Sequence, residues 1–273
     1  MKGLFTFLIL LVFFCQGYGQ FDSTTKKERL PQRVYTDGKH TVKAIVYTFK
    51  RPLYWKKKNW LTFGGIAGAT VVASFLDQEA SDFFEQNQSK ILDPFANAGD
   101  FIGQPEVQGP FLLSLWGTGV LINNKWLRET GSMMAASMAT SGLLTAFGKE
   151  AFGRARPSKG EGNASFKPFA GKDYHSLPSA HTTLSTSSAW ILARRVKPLA
   201  LKISFYAVPV VVGWSRIYDN AHWFSDVVLS SALGIACAEA AIYYYSTLDK
   251  DSTSQAGLII LPTGNGVAMV YRF

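Results

Sequence analysis

Six stretches almost free of charge recur along this chain: Trp60–Leu76, Pro110–Ile122, Gly131–Gly148, Thr182–Ala193, Leu199–Trp214 and Val227–Tyr245. The first, third and last approach the ~20 residues that a bilayer-spanning helix needs, and the other three are short. As a helix, Pro110–Ile122 would reach only about 20 Å, so it is expected not to span. Small residues dominate the third run, Gly131-Ser-Met-Met-Ala-Ala-Ser-Met-Ala-Thr-Ser-Gly142. That composition suits close helix packing, in a bilayer or in a soluble bundle. Polar Lys202, Asp226 and Glu239, in or beside the runs, need interior positions. The expected fold is an all-α helical bundle.

Three polar strings lie between these runs or at their edges. They are Lys149-Glu-Ala-Phe-Gly-Arg-Ala-Arg156-Pro157, Pro178-Ser179-Ala180-His181, and Ser215-Arg216-Ile-Tyr-Asp-Asn-Ala-His222-Trp-Phe-Ser-Asp226. Together they supply three fixed cations, two histidines and a carboxylate four residues beyond the second histidine. A reacting phosphate spreads its charge over several oxygens, so a site acts mainly by surrounding them with preorganised donors. The inventory suits phosphoryl transfer through a histidine nucleophile, with no metal needed.

On a helix, His222 and Asp226 share one face. The carboxylate can then hold the proton of one imidazole nitrogen and leave the other as an outward lone pair. Taken alone, the pair reads equally as a surface turn cap, with Asp226 serving the N-terminus of the run that follows. Tyr218, Asp219 and Asn220 are turn formers, so the chain can fold back and set Arg216 beside His222. Pro157 disfavours helix at Arg156. Lys149, seven residues upstream, would share its side across two helical turns. Arginine meets phosphate oxygens with two prongs and lysine as a point charge. Each cation singly reads as a solvated or interfacial charge, and Arg154 is assigned that role. Ser179 heads a helix-like run whose free N–H groups favour an anion. It is a helix cap, a phosphate donor, or both. His181 is placed to protonate a leaving oxygen.

In order and spacing the three strings resemble the signature of the type 2 phosphatidic acid phosphatase superfamily, over roughly residues 130–246. That group includes membrane lipid phosphatases, bacterial class A acid phosphatases and vanadium haloperoxidases. The resemblance implies a helical bundle of that kind, with Lys149 and Arg156 binding phosphate. It implies Ser179 and the Ala180 N–H as further phosphate ligands and His181 as the general acid. Arg216 becomes a phosphate ligand, His222 the nucleophile and Asp226 its orienting carboxylate. One position departs, since the family usually has glycine where Ala180 stands. Alanine is strained there only if φ is positive. In a helix it is harmless, and that is the reading adopted.

At 273 residues the chain is long enough for one substantial core. Met1-Lys2-Gly3, the apolar run Leu4–Phe14 and Gly17-Tyr18-Gly19 follow the plan of a signal peptide cleaved after Gly19. Residues 20–58 are expected to form an N-terminal extension with a strand at Thr41–Phe49, and residues 59–248 the helical domain. Residues 249–273 are expected to form a β-hairpin tail. There Gly257–Leu261 and Val267–Phe273 flank the turn composition Pro262-Thr-Gly-Asn-Gly266. Pairing of the tail with the N-terminal strand would bring both ends to one side.

The net charge of +9 gathers early. Lys50–Lys58, with Tyr54, Trp55 and Trp60, reads as an interfacial belt against anionic headgroups. No repeating basic and aromatic pattern of a nucleic-acid binder is present. Of the two cysteines, Cys15 would leave with the signal and Cys237 reads as a buried small hydrophobe. Neither a disulfide framework nor a cysteine metal site can be built from them.

The expected activity is that of a metal-independent, cofactor-free phosphatase. It would act on phosphomonoester or diphosphate groups of lipids through a phosphohistidine. The expected place is the cell envelope, with membrane contact and the site facing the periplasm. The loop Pro157–Pro178 is expected to be exposed and mobile there. Two alternatives share the pocket: a soluble periplasmic acid phosphatase, and a haloperoxidase with vanadate at His222.

Overall fold

The computed structural model describes residues 29–253, 258–263 and 266–271, so the expected signal peptide lies outside the described residues. The helices are α1 (Leu30–Lys50), α2 (Lys57–Ser74), α3 (Asp77–Gln86), α4 (Asp93–Gly103), α5 (Pro105–Leu121), α6 (Lys125–Phe152), α7 (Ala180–Arg195), α8 (Leu199–Tyr218) and α9 (Phe224–Thr253). The all-α expectation holds for this body of the chain.

α6 is the axis of the bundle, with α1, α5, α7 and α9 packed on it. The small residues along it explain that position: Gly131, Ser132, Ala136, Ser137, Thr140 and Ser141 are all buried. Short side chains let neighbouring backbones come close. α7 joins α6 to α8 and α9, and α4 lies against α8. Cys237 is 2% exposed, a small buried group in α9.

Thr41–Phe49 is helical, not a strand. Its β-branched residues favour extended backbone locally, but the segment sits inside a helix that starts with proline at its first turn. Asp37 on that helix accepts from Arg128 Nε at 3.0 Å and Nη2 at 2.8 Å, and from Trp116 Nε1 at 2.9 Å. These contacts, made across the fold to α5 and α6, pin a helical face. Among the described residues, the N-terminal segment expected to meet the tail is therefore no strand. In the tail, β1 (Leu258–Thr263) pairs antiparallel with β2 (Gly266–Tyr271), Thr263 opposite Gly266.

Two helical segments among the described residues are long and apolar enough to cross a membrane, Leu199–Tyr218 and Phe224–Leu248. α2 and α3, bent by 49°, make a third if taken as one broken span. The expectation for the short runs needs one correction. Leu199–Trp214 extends to 20 helical residues and qualifies. Gly131–Gly148 does not, because α6 is an interior helix rich in buried hydroxyls. Pro110–Ile122 lies in a 17-residue helix. On α8, Leu199, Ile203 and Val210 are well exposed, an apolar surface ready for lipid. These helices make the protein membrane-associated.

The loop after Pro157 is less free than its composition implies. Ala155 N–H donates to Ser165 O at 2.9 Å, Lys167 N–H to Gly153 O at 2.6 Å and Ser176 N–H to Arg154 O at 3.0 Å. Its last residues, Ser176 to Ser179, are buried. The charged middle stays at the surface, where Tyr174 Oη donates to Glu161 at 2.8 Å.

Candidate active site

Lys149 lies in the last turn of α6, which ends at Phe152 because Gly153 turns left-handed at φ 56°. A side chain at Gly153 would also meet Lys167 O at 2.1 Å, so only glycine fits. Lys149 and Arg156 are therefore not related by two helical turns. Arg156 follows in extended backbone, its Nη1 donating to Ala221 O at 3.4 Å, while Lys149 Nζ donates to His175 O at 2.6 Å. Each approaches the site along its own path.

Ser179 caps α7, and its Oγ accepts from Thr182 N at 3.4 Å. Its own N–H is taken by Ser230 Oγ at 2.7 Å, and the residue is fully buried. Of its two readings, capping is the one the geometry displays. Ala180 is the first residue of α7 and is not among the positive-φ residues, so alanine is unstrained. His181 follows on the exposed side of that first turn, its side chain 26% exposed.

Arg216 and His222 are joined by a tight return. Ala221 N and His222 N both donate to Arg216 O, at 3.0 and 3.2 Å, with Asn220 left-handed at φ 51°. The expected fold-back is present. His222 is almost wholly buried, with Nδ1 2.6 Å from Ser176 O and 3.7 Å from Asp226 Oδ2. Since a carbonyl only accepts, Nδ1 carries the proton and Nε2 keeps its lone pair. Asp226 also serves the helix start, accepting from Trp223 N at 3.0 Å. The two readings of Asp226 hold together.

Arg154 is not a surface charge. It is 3% exposed, its Nη1 2.5 Å from Asp226 Oδ1 and its Nη2 2.6 Å from Asp77 Oδ2. Ser225 Oγ and Asn163 O take further bonds from it. Asp77, fully buried at the head of α3, also accepts from Ser225 N at 2.7 Å. A buried charge needs partners of opposite sign, and here one guanidinium sits between two carboxylates. Sequence reasoning missed Asp77, Ser176 and Asp100. Asp100 on α4 meets Arg216 Nη1 at 2.7 Å and His181 Nε2 at 3.2 Å.

The charges act on one another across the gap. Burial first, then the cations Lys149 and Arg156, pull His222 down to about 4, although Asp226 opposes them. Burial and nearby Arg156 bring Lys149 down to about 8. Burial and then Arg216 lower Arg156. His181 is lowered by burial and by Arg216, with Asp100 pulling the other way. The three cations and two histidines predicted from the three strings thus lie within electrostatic reach of one another. Among the described residues, no group of three or more His, Cys, Asp or Glu could hold a metal ion.

His222 lies where the C-terminal end of one candidate span, at Tyr218, turns into the start of the next, at Phe224, at the ends of both and not at their middle.

Residues 131–250 match the PAP2 superfamily, a stretch that holds all three strings. Over 107 residues the chain is 35% identical to a lipid A 1-phosphatase of Rhizobium etli, covering 38% of this chain and 45% of that protein. Over 146 residues it is 30% identical to a lipid A 1-phosphatase of Porphyromonas gingivalis, covering 48% and 30%. The chain thus spans less than half the length of these curated relatives. Among solved structures, Aquifex aeolicus LpxE superposes with a TM-score of 0.51 at 21% identity, covering 62% of this chain and 96% of that one. A transmembrane PAP2 type phosphatidylglycerolphosphate phosphatase from Bacillus subtilis gives 0.55 at 20%, covering 69% and 94%. Helical architecture and the order of the strings agree with this match to the PAP2 superfamily, which covers residues 131–250 of the chain.

Proposed function

We propose that this protein is a lipid phosphate phosphatase that works through a phosphohistidine at His222, without a metal or other cofactor. One observation carries the reading: a buried, neutral His222 with Nδ1 on a main-chain carbonyl and Nε2 left for attack, close to Lys149 and Arg156. In this reading Lys149, Arg156 and Arg216 hold the phosphate oxygens, with the N-terminus of α7 around Ala180 as a further anion site. His181 protonates the departing oxygen and then activates water. Asp226 supports His222 directly at 3.7 Å and through Ser176, whose Oγ it accepts at 2.5 Å.

The substrate class follows from place. A phosphate at the bilayer surface, between exposed apolar helices, is that of a lipid. The relatives' printed name makes lipid A 1-phosphate the first ester to try. We assign the site to the periplasmic face: the basic, aromatic belt at Arg51, Trp55 and Trp60 heads α2, Asp77 just beyond the other end of α2 meets the site, and basic flanks favour the cytoplasmic side.

The test is phosphate release by the full chain in detergent, from lipid phosphates and from a soluble aryl phosphate, with and without EDTA. Wild type should prefer the lipid ester and ignore EDTA, vanadate should inhibit, and His222→Ala should be inert. Preference for the soluble ester would favour the acid phosphatase alternative, and activation by vanadate with peroxide the haloperoxidase. For orientation, a reporter fused near Lys159 should behave as periplasmic. Cytoplasmic behaviour would reverse the assignment.

A further inference from the structure

Asp100 lies outside all three strings, yet its carboxylate touches two of the groups they contribute. Oδ1 is 2.7 Å from Arg216 Nη1 and 3.2 Å from His181 Nε2, while Oδ2 accepts from Gln104 Nε2 at 2.8 Å. The contact is built into the backbone. Gly99 and Gly103 flank Asp100 on α4. A Cβ at Gly99 would stand 2.8 Å from Ser215 Cβ, and one at Gly103 2.9 Å from His181 Cβ. With hydrogen at both positions, α4 lies close enough to α7 and α8 for a short aspartate to reach both groups. Gln104 then fixes the rotation of the carboxylate. At 31% side-chain exposure, Asp100 is partly open to solvent.

We propose that Asp100 is a positioning residue for the acid–base step, holding His181 in its imidazolium form and fixing its ring beside the arginine-bound phosphate. This rests on the phosphatase reading above. As His222 Nε2 bonds to phosphorus, the bond from phosphorus to the leaving oxygen breaks with its electron pair on that oxygen. A proton of the His181 imidazolium moves there. Water then attacks phosphorus and gives a proton to neutral His181, and the phosphorus–nitrogen bond breaks with its pair returning to His222. Asp100 gains and loses no atom, but its negative charge favours the protonated ring. It does so against burial, Arg216 and Lys149, which depress His181, with Glu106 acting in the same sense as Asp100.

The test compares wild type, Asp100→Asn and Asp100→Glu, full chain in detergent, on 4-nitrophenyl phosphate and on an n-alkyl phosphate. An aryl oxide departs with little protonation, whereas an alkoxide needs a proton. Asp100→Asn should lose at least ~10-fold more kcat on the alkyl ester than on the aryl one, a part of the ~10²–10⁴-fold that general acid catalysis supplies. KM should change less than kcat. The alkaline limb of the alkyl profile alone should move to lower pH, because a less stabilised imidazolium deprotonates earlier. Asp100→Glu should restore part of the rate. Equal losses on both esters overturn the proposal, and so does a gain on both, the mark of a carboxylate that merely plugs the phosphate site. Should Asp100→Asn fail to fold, Asp100→Ser carries the same expectation on the same pair. Wild-type turnover of both esters checks the phosphatase reading separately, and its absence overturns that reading and this one together.

Discussion

The carbonyl oxygen of Ser176 stands 2.6 Å from His222 Nδ1, closer than the 3.7 Å of Asp226 Oδ2. The imidazole tautomer is therefore held by main chain, and the carboxylate secures the residue that supplies it. Ser176 Oγ, Trp223 N and Arg154 Nη1 all donate to Asp226.

His222→Ala should abolish turnover without unfolding the protein, since it removes the nucleophile. Asp226→Asn should leave a measurable rate, because the Ser176 carbonyl still holds the Nδ1 proton. The loss should be smaller than the ~10⁴-fold found where a triad carboxylate alone sets the tautomer. Steady-state rates on an aryl phosphate decide it, and an Asp226→Asn protein as inert as His222→Ala would return the tautomer to Asp226.

Arg154→Ala should destabilise the fold by about 3–5 kcal/mol, because it leaves two buried carboxylates unpaired. Asp77→Ala should be costly for the same reason, although Asp226 would still hold the guanidinium. Denaturant midpoints measure both. A shift within about 0.5 kcal/mol, the range of an ordinary surface change, would contradict the buried pairing.

Arg156→Lys and Arg216→Lys should each lower kcat/KM by at least ~10²-fold, as a planar two-pronged contact becomes one point charge. Either variant at near wild-type activity would remove that arginine from the phosphate site.

His222, held down to about 4 by burial, stays neutral above that pH, so its acid limb should lie near pH 4 and not near 6.5. Lys149, brought to about 8, should lose its charge and loosen the phosphate as pH rises beyond that value. For stability the sign follows from proton counts. Between about 6.5 and 4 the unfolded histidine is protonated and the folded one is not. Acidification through that window therefore favours unfolding. A pH–rate profile with an acid limb near 6.5 would mean that His222 is solvated.

By itself the sequence determined the helical runs and the groups that meet within each string. Arg216 and His222 are linked by a six-residue return, Ser179 heads its own helix, and His222 and Asp226 stand one turn apart. Such relations need only local backbone geometry, so spacing reveals them. Tertiary structure decided what depends on chain segments far apart. Nothing local separates Arg154 from Arg156. One is buried because Asp77, 77 residues earlier, arrives with α3 to share its charge. Asp100 joins the site only because two glycines let α4 press against α7 and α8. Thr41–Phe49 carries strand-forming residues, yet Asp37 meets Arg128 across 91 residues and the segment stays helical. Local preference amounts to about 1 kcal/mol or less per residue, whereas an unpaired buried charge costs several, so packing overruled it.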